Sequence, residues 1–130
     1  MEYTYTIRLS DTDAAGRIFF AAAGRIAHDA WETWMETKGL PIAGIIRDAA
    51  WGLPVVQSAT EFHKPLALGD RITITTRVAQ VGRRSVTFSH QLHRADGSVA
   101  ARVTMTHVAV SARTGKAIAL PKALLRTLQA

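Results

Sequence analysis

The stretch that decides the fold is Phe19-Phe-Ala-Ala-Ala-Gly-Arg-Ile-Ala-His28-Asp-Ala-Trp-Glu-Thr-Trp-Met35-Glu-Thr-Lys-Gly39. Its apolar positions Phe19, Ala23, Ile26, Ala27, Ala30, Trp31, Trp34 and Met35 recur at spacings of three and four, which marks one face of a helix. Gly39 after Lys38 is a C-terminal stop. This is the one long helical pattern in the chain, and the alanines on its apolar side let a sheet lie close against it, so a central, wrapped helix is expected.

Strand patterns surround it. Before the helix, Tyr3, Tyr5, Ile7 and Leu9 alternate with Thr4, Thr6, Arg8 and Ser10, which predicts a first strand ending at Asp11. After a loop with a short helix expected over Ile45 to Ala50, Val55 to Leu66 reads as extended and Leu68-Gly69-Asp70 as a turn. Ile72, Ile74 and Val78, then Val86, Phe88, His90 and Leu92, alternate with polar residues as two half-buried strands. Ala95-Asp96-Gly97 is an Asp-Gly hairpin turn leading into an extended run from Val99 to Ser111, and Pro121 opens a short amphipathic helix. Strand, long helix, then four strands is an α+β pattern: one five-stranded antiparallel sheet wrapped around one helix. The sheet's remaining face and edge predict self-association as a dimer or tetramer.

At 130 residues with 48% hydrophobic content, the chain suits a single domain spanning 1–130. No run approaches the roughly 20 apolar residues that span a bilayer. The start, Met1-Glu2-Tyr3-Thr4, lacks a basic segment followed by an apolar one, so no export and a cytoplasmic location are expected. With no cysteine there is no disulfide, thiolate metal site or cysteine nucleophile. The net charge of +6 favours polyanions, yet the basic residues are dispersed and no nucleic-acid motif accompanies them. Neither nucleic acid nor membrane is expected as a partner. Only Arg83-Arg84 stands out as a basic pair.

Asp11-Thr-Asp13-Ala-Ala-Gly16 puts two carboxylates where a strand ends and the helix is about to begin. Asp at such a junction commonly caps the helix and Gly supplies the turn. The neighbourhood adds a second reading. Asp11-Thr-Asp-Ala-Ala-Gly-Arg-Ile-Phe-Phe20 with His28-Asp-Ala-Trp-Glu32 resembles the hotdog-fold thioesterases of the 4-hydroxybenzoyl-CoA thioesterase family. Within it the chain is most similar to the 1,4-dihydroxy-2-naphthoyl-CoA hydrolases of menaquinone and phylloquinone biosynthesis. The likeness covers nearly the whole chain, including Phe62-His63-Lys64-Pro65, Gly69-Asp70 and the arginine pair.

The resemblance implies hydrolysis of an aryl- or acyl-coenzyme A, with Asp13 attacking the thioester carbonyl or activating the water that does. It implies a backbone N–H at Phe20 as the oxyanion donor, aided by the helix dipole, and no metal or organic cofactor. Gly16, Arg17, His28 and Asp29 fall at positions near the substrate, and Arg83 and Arg84 at a position that contacts coenzyme A phosphates, for which arginine's fork of donors is suited. Apart from the resemblance, His28 reads more readily as a partly buried packing residue and Arg83-Arg84 as an ordinary solvated turn. His63, His90, His93 and His107 lack metal-ligand spacing and are assigned no role. Trp31, Trp34 and Met35 are expected in the core.

Two residues depart from the family pattern: Ala22 replaces an asparagine and Arg17 a valine. The aromatic Phe20, where related short-chain thioesterases carry histidine, favours an aryl substrate. A short- or medium-chain acyl-CoA, or an acyl-carrier-protein thioester, would suit the same Asp13 chemistry. A non-catalytic acyl-CoA-binding module would have no need of Asp13.

Overall fold

In a computed structural model that describes residues 2–129, the chain forms β1 (Glu2–Thr6), α1 (Phe20–Thr37), α2 (Ile42–Asp48), β2 (Trp51–Gly52), β3 (Val55–Phe62), β4 (Arg71–Val81), β5 (Ser85–His93), β6 (Val99–Val108), β7 (Val110–Ser111) and α3 (Lys122–Gln129). Five strands make one antiparallel sheet in the order β1-β4-β5-β6-β3, and β2 pairs with β7 in a small separate ribbon. The sheet packs around α1, which is the expected hotdog arrangement.

The helix buries the face its periodicity defined from Ala23 on, but Phe19, expected on that face, is the N-cap and is 46% exposed. Ala23, Ile26, Ala27 and Ala30 lie against Ile72, Ile74, Leu92, Val103 and Met105. Their small side chains let the backbone of α1 settle onto the strands. Farther along, Trp31, Trp34 and Met35 join Val86, Phe88, Leu120, Leu124 and Leu128 in a second cluster, with the Trp34 ring edge-on to Phe88 at 5.1 Å. Aromatic pairs favour that geometry. The inward positions of α3 thus cover the C-terminal half of α1.

Four boundaries differ from the sequence reading, and one is the end of β3, which stops at Phe62 short of the expected Leu66 because the N–H groups of His63 and Lys64 both turn to the Ala100 carbonyl, at 2.8 and 3.1 Å. The first strand ends at Thr6, not Asp11, because the chain turns away from β4: Ile7 N–H donates to the Asp70 carbonyl at 2.9 Å, and Leu9–Asp11 close a 3-10 turn. Leu9 kept the apolar alternation but is 74% exposed. The short helix begins at Ile42, since Pro41 has the extended conformation of an N-cap and leaves Ile42 free to start. The run after Val99 breaks at Ala109, whose N–H turns to the Arg84 carbonyl at 2.9 Å.

The edge strand β3 pairs with β6 on one side and, among the described residues, with nothing on the other. Its residues are mostly exposed, including Val55, Val56 and Phe62. A long unpaired edge is a template for pairing with another chain.

His90 and His107 occupy inward positions and are fully buried. Each satisfies one ring nitrogen: His90 Nδ1 pairs with the Thr76 hydroxyl at 2.8 Å, and His107 Nδ1–H donates to the Leu53 carbonyl at 3.0 Å. Burial, followed by the neighbouring His107 and His28 rings, pushes His90 down to about 4. It is therefore neutral at pH 7 and suits packing, not proton transfer.

Candidate active site

The loop between β1 and α1 is held at both ends by the first aspartate. Asp11 is 1% exposed. Its Oδ2 accepts from the Tyr5 hydroxyl at 2.6 Å and from Arg8 N–H at 2.8 Å, while Oδ1 is paired with Arg25 of α1. Its carbonyl accepts Phe19 N–H at 2.8 Å. Burial alone would raise the Asp11 carboxyl, but the Tyr5 and Arg8 hydrogen bonds and the Arg25 charge outweigh it and hold the group below its ordinary value. Arg25 also reaches Tyr5 Oη at 3.1 Å and Asp29 at 3.0 Å. Asp11 is thus a structural pin between strand, loop and helix.

The second aspartate is placed differently. Asp13 is exposed, and its Oδ1 accepts N–H bonds from Ala15 at 2.9 Å and Arg17 at 3.2 Å. Its backbone brackets the same turn, with Asp13 N–H to the Arg17 carbonyl at 2.8 Å and Gly16 N–H to the Asp13 carbonyl at 3.0 Å. Gly16 has φ of 75°, a left-handed conformation that glycine adopts without steric cost. One carboxylate oxygen is therefore spent on fixing the side chain, and the other meets no donor among the described residues.

Neither aspartate caps α1, although Asp11 caps the 3-10 turn through Arg8 N–H. The N-cap of α1 is Phe19, with no side-chain cap bond. As the first residue of the helix Phe20 has no intrahelical acceptor for its N–H, and none is found elsewhere among the described residues. An 18-residue helix thus begins with an open donor and its positive dipole end on the loop that carries Asp13. Phe20 itself is 69% exposed.

Of the other expected site residues, His28 is exposed, contrary to a packing role, and its ring lies 5.1 Å from Trp31. Together with Trp31, Ile42, Ile45, Trp51 and Val55 it lines an apolar cleft of about 440 Å³. The ring of Trp31, otherwise in the core as expected, makes part of that wall. Asp29 is turned to Arg25 and is not in the cleft. Arg17 borders a second cleft with Phe62, His63, Lys64 and Pro65. No group of three or more histidine or acidic residues that could hold a metal ion occurs among the described residues.

Arg83 and Arg84 form the exposed turn between β4 and β5, where Leu120 and Ala109 donate N–H bonds to their carbonyls at 3.0 and 2.9 Å. They are remote from Asp13. Strand β1 ends beside Arg71, and β4 then runs 11 residues to Val81. At about 3.3 Å per residue that is roughly 35 Å, and α1 spans the same direction over about 27 Å. Asp13 and the arginine pair therefore stand at opposite ends of one chain.

A carboxylate fixed on a turn thus lies on the loop that feeds an open helix N–H, and the fold that presents them is that of the hotdog thioesterases. Residues 7–128 match the model of the Thioesterase-like superfamily, and the chain belongs to that family. It is a thioester hydrolase. Among its relatives is a 1,4-dihydroxy-2-naphthoyl-CoA hydrolase of Rippkaea orientalis, 35% identical over 130 residues that cover 98% of this chain and 94% of the relative. Another of that name, from Microcystis aeruginosa, is 34% identical and covers 95% of this chain and 89% of its own. The crystal structure of a 1,4-dihydroxy-2-naphthoyl-CoA thioesterase from Synechocystis superposes with a TM-score of 0.90 at 25% identity, covering 98% of this chain and 94% of that one.

Proposed function

We propose that the enzyme hydrolyses an aromatic acyl-CoA thioester, with 1,4-dihydroxy-2-naphthoyl-CoA the foremost candidate, at a site completed by a second copy of the chain. One observation carries the reading: Asp13 offers a free carboxylate oxygen on the loop that feeds the uncapped start of α1. Asp13 either adds to the carbonyl carbon or takes a proton from the water that adds. The oxyanion formed is held by Phe20 N–H and its collapse expels the coenzyme A thiolate; where water has added, Asp13 passes the proton it took to the thiolate, and where Asp13 has added, water hydrolyses the acyl–Asp13 anhydride left behind, which frees the acid, restores the carboxylate and supplies the thiolate's proton. The products are the free acid and coenzyme A by either route.

The aromatic preference is supported by the ring-lined cleft at His28 and by the relatives' substrates. Sharing of the site is supported by the distance between Asp13 and Arg83-Arg84, which is too great for both to serve one ligand from one chain unless it spans the sheet. It is supported too by the exposed, unpaired edge β3. The reading includes a cytoplasmic location. Thiol release from 2-naphthoyl-CoA, benzoyl-CoA and acetyl-CoA tests the substrate class. The expected order of kcat/KM places the two aromatic thioesters above acetyl-CoA; a reversed order would contradict the aromatic reading.

A further inference from the structure

Gly24 stands inside α1, where glycine is the least favourable residue after proline. Nothing in the backbone demands it, because its φ is not among the positive ones, which fall at Gly16, Gly39, Gly69, Gly97 and Gly115. Packing does not demand it either. A Cβ built on Gly24 would have Met105 Cε at 3.9 Å as its nearest neighbour, an ordinary van der Waals contact. A glycine that costs helix stability and has room for a side chain calls for another reason.

Its position supplies one. Phe20, Gly24 and His28 are spaced by four and line one stripe of the helix. At one end is the open Phe20 N–H; at the other, about 12 Å along the axis at 1.5 Å per residue, is the cleft walled by His28, Trp31 and Trp51. With no side chain at Gly24, that stripe carries nothing between Phe20 and His28. We infer that Gly24 sets acyl-group specificity, by leaving this stripe of the helix bare so that a fused aromatic acyl group can run from the Phe20 N–H toward the His28 cleft. The inference rests on the proposed aromatic thioesterase reading. A two-carbon acyl group would end beside Phe20 and would not reach Gly24.

Gly24→Ala and Gly24→Leu, assayed with 2-naphthoyl-CoA and acetyl-CoA, test this. The alanine variant is expected to lower the ratio of kcat/KM for naphthoyl over acetyl by roughly tenfold, the usual cost of one unwanted methyl in an apolar pocket, and leucine by more. The alanine variant should keep the parent's oligomeric mass and melt no lower than the parent, since alanine favours the helix. An unchanged ratio in Gly24→Ala, or dissociation of the oligomer by that variant, would overturn the inference. A parent that hydrolyses acetyl-CoA but not 2-naphthoyl-CoA would overturn the aromatic reading beneath it, and is seen before any variant is made.

Discussion

Asp13→Asn is expected to lower kcat for thioester hydrolysis on the order of a thousandfold with little change in KM, because the amide can act neither as base nor as nucleophile. The fold should survive. Asp13 is exposed, and the amide oxygen of asparagine can still accept the Ala15 and Arg17 N–H bonds that shape the turn. Circular dichroism checks the fold and thiol release the rate. Asp11→Asn provides the contrast, since its carboxylate is spent on Tyr5, Arg8 and Arg25: turnover should persist while the melting temperature falls. Parent-like turnover in the Asp13 variant would remove this carboxylate from the mechanism.

Replacing both Arg83 and Arg84 by alanine should raise KM for coenzyme A thioesters at least about tenfold while kcat stays near the parent's, given about 1.5–3 kcal/mol for a charge-assisted contact to phosphate. Binding of a remote nucleotide is much the same in ground and transition states, so its loss weakens capture and not chemistry. The two side chains are exposed and their backbone is tied down through the Leu120 and Ala109 N–H groups, so truncation should leave the turn in place. A pantetheine thioester lacking the nucleotide is the control, to be hydrolysed equally by parent and variant. Equal discrimination between the two substrates by both proteins would make the pair an ordinary solvated turn.

Where burial follows a short repeat, the sequence was a good guide. Ala23, Ile26, Ala27, Ala30, Trp31, Trp34 and Met35 were legible as one face because α1 is wrapped on that side, and all are buried. The inward register of His90 was legible in the same way, although its partner Thr76 lies across the sheet. The first strand misled at Leu9, where the alternation continued but contacts with Gly69 and Asp70, remote in sequence, turned the chain. From the residues alone the two aspartates could be found as a motif but not told apart, and only the family resemblance singled out Asp13. Burial of Asp11 depends on Arg25, 14 residues away, and the exposure of Asp13 on a turn closed by Gly16. Likewise, the arginine pair was visible as a basic turn, while its separation from Asp13 emerges only from the lengths and directions of β4 and α1. The cleft at His28 needed Trp51 and α2, which no local pattern connects to the helix.

The central claim is a hydrolytic site built from Asp13 of one copy and Arg83-Arg84 of another, and mixing two crippled proteins tests it most directly. Oligomers purified through two different tags would combine Asp13→Asn chains with Arg83→Ala/Arg84→Ala chains. A shared site leaves one position in each mixed pair with neither defect, so the mixture should hydrolyse 2-naphthoyl-CoA with the parent's KM and about half its turnover per pair. If each site lay within one chain, the mixture would show only the raised KM of the arginine variant, and that result would contradict the account.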